Sequence, residues 1–242
     1  MNDLDERQKQ LLLAVIQEFM DTATAVGSVE ISDRYDFDLS PATIRNEMAD
    51  LVKRGYLYKT HQSAGRIPTT QAWRFYITEA LDEEEVNTVK GAEARERLFS
   101  SKFSLEKLMK EAISALSDFS GYTTLCIVNG NIFHSGITKL LDHVEFKNLD
   151  QLHKLLLVLE DIHTMGKIFS KAKGESDVYI LIGEELGIES MKEAAVAFSR
   201  IRINGIEDTF ICVVGPARMT YSKVLPALKY IEKNLYDATK GI

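Results

Sequence analysis

Cysteine is nearly absent from this chain of 242 residues, with only Cys126 and Cys212 present. Both sit inside apolar, strand-like runs, which predicts two reduced, buried thiols of a cytoplasmic protein and not a disulfide scaffold. Histidine is scarce too: His134, His143, His153 and His163 are spaced too irregularly for a helical metal pair or a zinc finger, so no metal is expected. No run of about 18 apolar residues occurs, so no membrane-spanning helix is expected. The opening MNDLDERQKQ has no apolar segment behind a basic start, so no secretory signal is expected either. Walker loop, nucleophile elbow and dinucleotide fingerprint are all missing. Gly183-Glu184-Glu185-Leu186-Gly187 places acids where a phosphate cradle needs donors and a lysine. The expectation is a protein that is not an enzyme and carries no cofactor.

What is present is a soluble composition, 45% apolar and 27% charged, long enough for two domains with their own cores. The net charge of −7 is unevenly spread. Residues 1–39 hold Arg7, Lys9 and Arg34 against nine acids. Residues 40–74 reverse the sign, with Arg45, Lys53, Arg54, Lys59, Arg66 and Arg74 against Glu47 and Asp50. Such a basic patch can neutralise phosphates despite an acidic body, because salt confines each field to about 8–10 Å.

The patch coincides with LSPATIRNEMADLVKRGYLYKTHQSAGRIP, Leu39 to Pro68. Ser40 can cap a helix and Pro41 fits its first position, where a missing N–H costs nothing. Ile44, Met48, Leu51 and Val52 recur at helical spacing as a buried stripe. Thr43, Arg45 and Asn46 then lie near the N-terminal end on other faces, where a recognition helix meets base edges. Gly55 suits a left-handed helix end. Tyr56 to Thr60 reads as a strand, His61 to Gly65 as a turn, and Arg66-Ile67-Pro68 as the returning strand. Lys59, His61, Ser63, Gly65 and Arg66 are the DNA-contact candidates of this hairpin; a merely solvated His61 is the alternative.

Before the patch, Asp5 to Met20 is an amphipathic helix with Leu4, Leu11, Leu12, Val15, Ile16 and Phe19 on one side. A short helix follows to about Tyr35, with Ser28 as its cap, and residues 36–39 form the turn. Three helices and a hairpin make a winged helix-turn-helix. A further helix, Thr69 to Leu81, carries Trp73, Phe75, Tyr76 and Ile77. Glu83 to Phe119 reads as two helices, the second capped by Ser104. Its wide face of Leu105, Leu108, Met109, Ala112, Ile113, Leu116 and Phe119 packs on its own domain or in part pairs with a second subunit. Thr123 to Val128 and Ile132 to His134 flank the hairpin signal Asn129-Gly130. Asp150 to Lys171 reads as one helix, Asp177 to Ile182 and Thr209 to Val214 as central strands, and Ala194 to Ile203 as another strand before a turn at Asn204-Gly205. Ser222 to Leu235 closes as a helix in whose first turn Pro226 must lie unless it kinks.

SPATIRNEMADL, GYL, SAGRIPT and the RFYI of residues 74–77 resemble the DNA-binding module of HrcA, a family of bacterial repressors of heat-shock (chaperonin) operons. The likeness covers roughly residues 4–80 and returns in YILIG and in Gly215-Pro216-Ala217-Arg218-Met219-Thr220-Tyr221-Ser222. Trp73 stands where the family usually has Tyr; Ala217 and Thr220 also depart. Family members are longer, with a dimerisation domain inserted in a GAF-like domain. Here Ile137 to Phe146 leads almost directly into the next helix, without room for it.

The resemblance implies an α+β protein of two domains: a winged-helix DNA-binding domain at 1–81, a helical linker at 82–120 and a GAF-like α/β domain at 121–242. It implies a cytoplasmic, nucleoid-associated homodimer that binds double-stranded DNA at an inverted-repeat operator and represses by occupancy, with the chaperonin as a partner. Thr43, Arg45 and Asn46 would face bases, each good pair discriminating by about 1–3 kcal/mol. Ser40 and the helix start would hold a phosphate. Two alternatives remain open: a regulator whose GAF-like domain binds a metabolite, and a protein-interaction module that binds no DNA.

Overall fold

The computed structural model describes residues 4–59, 65–173, 176–203 and 206–240, with backbone alone at 206–208. The chain divides into two units, residues 1–81 and 82–242.

In the first unit most helices start on a side chain that accepts an otherwise orphaned N–H. Asp5 accepts from Gln8 N at 2.8 Å ahead of α1 (Glu6–Thr22), and Ser40 from Thr43 N at 3.2 Å ahead of α3 (Pro41–Lys53). Helix α2 (Ser28–Arg34) departs from expectation by one residue: its cap is Gly27, not Ser28. Glycine has no side chain to offer, and the Glu30 carboxylate instead accepts the Gly27 N–H at 3.5 Å. Strands β1 (Leu57–Tyr58) and β2 (Ile67–Pro68) pair antiparallel, and α4 (Thr70–Phe75) follows, capped by Thr69. The helix expected to run to Leu81 widens at Tyr76 into a π-helical turn, Tyr76–Ala80, where the Thr78 hydroxyl donates to the Arg74 carbonyl and competes with the regular ladder. Leu11, Leu12, Val15 and Ile16 of α1, Ile31, Ile44, Met48, Leu51, Leu57 and Trp73 form the buried core of this unit. Val52, expected in the stripe of α3, is half-buried at its margin.

The second unit is a five-stranded sheet between two helical layers. Helices α5 (Thr88–Ser100) and α6 (Leu105–Ser120) lead to β3 (Thr123–Val128) and β4 (Asn131–Ser135). After them come α7 (Leu149–Glu160), α8 (Ile162–Phe169), β5 (Tyr179–Ile182), β6 (Ala194–Ile203), β7 (Ile206–Pro216) and α9 (Tyr221–Thr239). The strand order is β4-β3-β7-β6-β5, every neighbouring pair antiparallel. Asn129 and Gly130 both take positive φ, as a two-residue hairpin turn of this hand requires. The run from Asp177 to Ile182, expected to be central, supplies an edge strand, β5; β7 alone of the two runs is central. The helix expected across 150–171 breaks at Asp161, whose carboxylate accepts His163 N at 3.1 Å and starts α8. The expected turn at Asn204-Gly205 lies outside the described residues.

One face of the sheet presents Leu125, Ile127, Val196, Phe198, Phe210, Cys212 and Val214 to Leu152, Leu155 and Leu159 of α7 and to Met165, Ile168 and Phe169 of α8. The alternate residues turn to α6 and α9, as shown by the Thr124 hydroxyl donating to the Ile113 carbonyl of α6 at 2.7 Å. Leu108, Met109, Ala112, Ile113 and Leu116 of α6 are buried there, inside their own unit. That face is therefore not free to pair with a second subunit, and the segment expected as a linker packs as part of the sheet's cover. The two thiols fall on opposite faces, since Leu125 is the register partner of Cys212 and Cys126 is its neighbour along β3. Burial pushes the Cys126 thiol up to about 12 and raises Cys212 as well, so both stay protonated.

Gly215-Pro216-Ala217-Arg218-Met219-Thr220 anchors the start of α9. A Cβ on Gly215 would lie 2.8 Å from the Tyr122 ring, so only glycine passes there. The Tyr122 hydroxyl accepts Thr220 N at 2.9 Å, and Arg218 donates to both Glu145 oxygens, at 2.6 and 3.2 Å. Pro226 lies in the second turn of α9, inside the helix. The Ser222 carbonyl it leaves unpaired accepts the Glu84 N–H at 2.9 Å, which ties down the chain ahead of α5.

His143 stacks on Tyr122, centroids 5.2 Å apart. Burial, and then Arg218, push its pKa below the ordinary value, against smaller pulls from Glu145 and Asp142. A depressed base is protonated first in the unfolded chain, so its contribution is complete above pH ~6.5 and is lost as pH falls through that value. Glu193, raised by burial and by Glu145, has the opposite sign and cancels between parent and variant. Melting of the parent between pH ~7.5 and ~5.5 is expected to fall more steeply than that of His143→Gln. Parallel pH profiles would contradict this assignment.

Candidate nucleic-acid interface

Helix α3 carries both acids and bases, and the fold sorts them. Ile44, Met48 and Leu51 enter the core, while Ala42, Arg45, Asn46 and Lys53 are exposed. Both carboxylates of the helix turn towards α1: Glu47 pairs with Arg7 and accepts from Gln8 Nε2 at 3.2 Å, and Asp50 accepts from the same nitrogen at 3.2 Å. Asp50 also accepts Arg54 Nε at 2.8 Å, and this bond is the largest cause holding its carboxyl below the usual range. Among the described residues Arg45 and Asn46 have no hydrogen-bond or ion-pair partner. What the helix offers outward is one guanidinium, one amide and the ammonium of Lys53.

The start of α3 is partly committed. Pro41 has no N–H, the Thr43 N–H goes to Ser40 Oγ, and the Ile44 N–H goes to the Ser40 carbonyl at 3.0 Å. The Thr43 hydroxyl lies 2.9 Å from Ser40 Oγ and its residue is half-buried. Of the first turn, the N–H of exposed Ala42 has no hydrogen-bond partner among the described residues. Helix α2 is held beneath by Arg34, which donates to both oxygens of buried Glu18 at 2.7 and 2.9 Å.

The hairpin is fastened by a contact that its own two strands do not provide. Arg66 N donates to the Val26 carbonyl at 2.7 Å, and Val26 N donates to the Arg66 carbonyl at 2.9 Å. This bridge joins β2 to the link between α1 and α2. Gly65 is required for it: an added Cβ would lie 2.4 Å from the Ala25 carbonyl oxygen and 2.7 Å from that of Val26. Gly65 thus serves close backbone approach, without a left-handed turn. Lys59 is exposed and Arg66 half-buried. His61 and Ser63 lie outside the described residues.

The structure thus gathers Ser40, Pro41, Thr43, Arg45 and Asn46 at one end of α3, with Lys59, Gly65 and Arg66 on the hairpin. Sequence reasoning missed Lys53, whose place on the outward face follows from helical spacing with Ala42, Asn46 and Ala49. It also missed Val26, Arg7 and Gln8. A single-residue bridge has no periodicity to detect, and a contact between residues 7 and 47 leaves no local trace.

The model of the HrcA protein C terminal domain matches residues 66–225, well over half of the chain. The chain belongs to the HrcA family. Among its relatives, the heat-inducible transcription repressor HrcA of Acetivibrio thermocellus is 23% identical over 336 aligned positions, covering 97% of this chain and 96% of that protein. Those positions exceed the 242 residues here by 94, so the relative carries at least that much sequence with no counterpart in this chain. The HrcA repressor of Geobacter sulfurreducens is 36% identical over 165 residues, 68% of this chain and 47% of that protein. A solved structure described as a hypothetical protein shares the fold with a TM-score of 0.77, at 18% identity, over 98% of this chain and 99% of its own. Among the described residues no helix is long and apolar enough to cross a membrane, and no group of His, Cys, Asp and Glu is placed to hold a metal ion.

Gly65→Ala is expected to break the Val26–Arg66 bridge and to cost about 1–3 kcal/mol of stability in the first unit. Hydrogen exchange at the Val26 and Arg66 amides checks it: protection should fall at both, and unchanged protection would contradict the role given to Gly65.

Proposed function

We propose that the chain is a transcription repressor that binds double-stranded DNA through its first unit and acts by occupying an operator. In this reading residues 1–81 form a winged helix-turn-helix, with α2 and α3 as the two helices of the motif and β1–β2 as the wing. Residues 121–242 form a GAF-like domain covered by the helices of 82–120. The observation that carries the reading is the sorting of α3: its acids are bound to α1 and Arg54, while Arg45, Asn46 and Lys53 are exposed, and Arg45 and Asn46 have no hydrogen-bond or ion-pair partner among the described residues. Membership of a family whose members are named heat-inducible transcription repressors supports the same conclusion.

Arg45 suits guanine and Asn46 adenine in a major groove, and small Ala42 and Ala49 between them let the helix approach the bases. Ser40 and the Ala42 N–H would hold a backbone phosphate at the helix start, where the macrodipole also favours an anion. Thr43 supports that end through Ser40. Lys59, His61, Ser63 and Arg66 would follow the adjacent phosphates or the minor groove, on a wing whose angle Gly65 sets.

One such module gives modest affinity, so a twofold homodimer on an inverted repeat completes the reading. With the face of α6 covered, the edges β4 and β5 are the places for subunits to meet. A cytoplasmic, nucleoid-associated location and a chaperonin partner that keeps the repressor folded belong to this reading through the family resemblance. The second reading, metabolite sensing, has one observation in its favour: a cavity of about 500 Å³ in the second unit, lined by Ile127, Ile162, Phe169, Phe210 and Arg200 among others. A thermal-shift screen separates the two, because a ligand of the native state raises its stability.

Arg66→Ala is expected to weaken binding to all duplexes and to lower the slope of log K against log salt by about one. Asn46→Ala should relax preference at a single base position, at a cost of about 1–3 kcal/mol on the preferred sequence. Gel shift at stated salt checks both. Parent-like binding by the two variants would overturn the site.

A further inference from the structure

We propose that Arg7 and Gln8, on α1, are positioning residues for DNA binding, which they serve by holding the carboxylate of Glu47 away from the exposed face of α3. The inference rests on the reading of α3 as the DNA-contacting helix and adds to it two residues that touch no DNA.

Glu47 and Asp50 are one turn apart and are the two acids within 40–74. Left to solvent, Glu47 would sit beside Asp50, one turn away, and add a second carboxylate that repels the phosphates that Arg45 and Lys53 attract. Gln8 prevents this with a neutral donor. Its side chain is buried, 6% exposed, and its Nε2 lies 3.2 Å from both Glu47 Oε2 and Asp50 Oδ2, so its two N–H bonds serve one carboxylate each. The Gln8 backbone is itself pinned, its N–H donated to Asp5 at 2.8 Å. Arg7 Nη2 takes the other oxygen of Glu47. Glu47 is thus gripped from two sides, with its side chain 16% exposed, whereas Arg7 is 51% exposed.

Losing Arg7 frees one end of Glu47 and lets the carboxylate reach the surface. A unit charge brought within about 8 Å of phosphates in water costs roughly threefold to tenfold in affinity at low salt. The deficit must shrink as salt rises, because it is long-range and lies at the surface. Replacing Glu47 by Gln removes the charge altogether and makes the grip unnecessary. A purely structural ion pair behaves differently, since Glu47→Gln would abolish the pair without restoring anything.

The test uses the full chain and the duplex that the parent selects from a randomised pool, with binding measured by fluorescence anisotropy across a salt series. Arg7→Ala is expected to bind about threefold to tenfold more weakly at ~50 mM salt, with the gap closing towards ~300 mM. The double variant Arg7→Ala/Glu47→Gln is expected to bind within twofold of the parent, although its melting temperature, like that of Arg7→Ala, stays below the parent's. Glu47→Gln alone should bind at least as tightly as the parent. If Arg7→Ala binds like the parent, or if its deficit persists in the double variant, Arg7 does not act by holding Glu47 and the inference is overturned. A parent that selects no duplex at all overturns the reading of α3, and this inference with it.

Discussion

The bridge between Val26 and Arg66 is the smallest element of the fold and the one on which its first unit turns. Strands β1 and β2 are two residues each, too short to hold a hairpin against a helical bundle by their own ladder. Two further backbone bonds from the link between α1 and α2 add an isolated antiparallel bridge to it. They set the root of the hairpin beside the link between α1 and α2, and they succeed because Gly65 brings no Cβ into the 25–26 backbone. The same link ends α1 and opens α2, so one point of the chain fixes both the start of α2 and the base of the hairpin.

Charge is arranged by the same economy. The chain as a whole is acidic, and the exposed basic residues of α3 stand out less because bases are many than because nearby acids are bound elsewhere. Glu18 is buried against Arg34, Glu47 against Arg7 and Gln8, and Asp50 lies between Gln8 and Arg54. In the first two pairs the carboxylate is far less exposed than the guanidinium. Here they determine which sign faces outward, which net charge could not reveal.

Two of the strings that carry the family likeness are physically different. SPATIRNEMADL keeps half its polar residues outside, where they are free to meet a partner. GPARMT is scaffold: Gly215 fits under Tyr122, Thr220 is held by the Tyr122 hydroxyl, and Arg218 clamps Glu145 in the connection ahead of α7. The order and boundaries of most helices were legible from spacing and caps, Ser40, Gly55 and Ser104 above all. So was the Asn129-Gly130 turn. What escaped is non-local. An apolar run looks alike at a sheet centre or at an edge, so the strand from Tyr179 was misplaced. The break at Asp161 is invisible to apolar spacing that continues through it. The covered face of α6, the bridge at Val26 and the reach of Arg7 and Gln8 to α3 depend on which elements meet, and one-dimensional patterning does not record that.

Amide chemical-shift mapping of the full-length chain, titrated with a duplex it selects, tests the central claim most directly. Perturbations should concentrate at 40–46 and 53 on α3 and at 59 and 66 on the hairpin, while the amides of β3, β6 and β7 stay in place. Perturbations centred on the sheet of the second unit, with α3 and the hairpin unmoved, would contradict it.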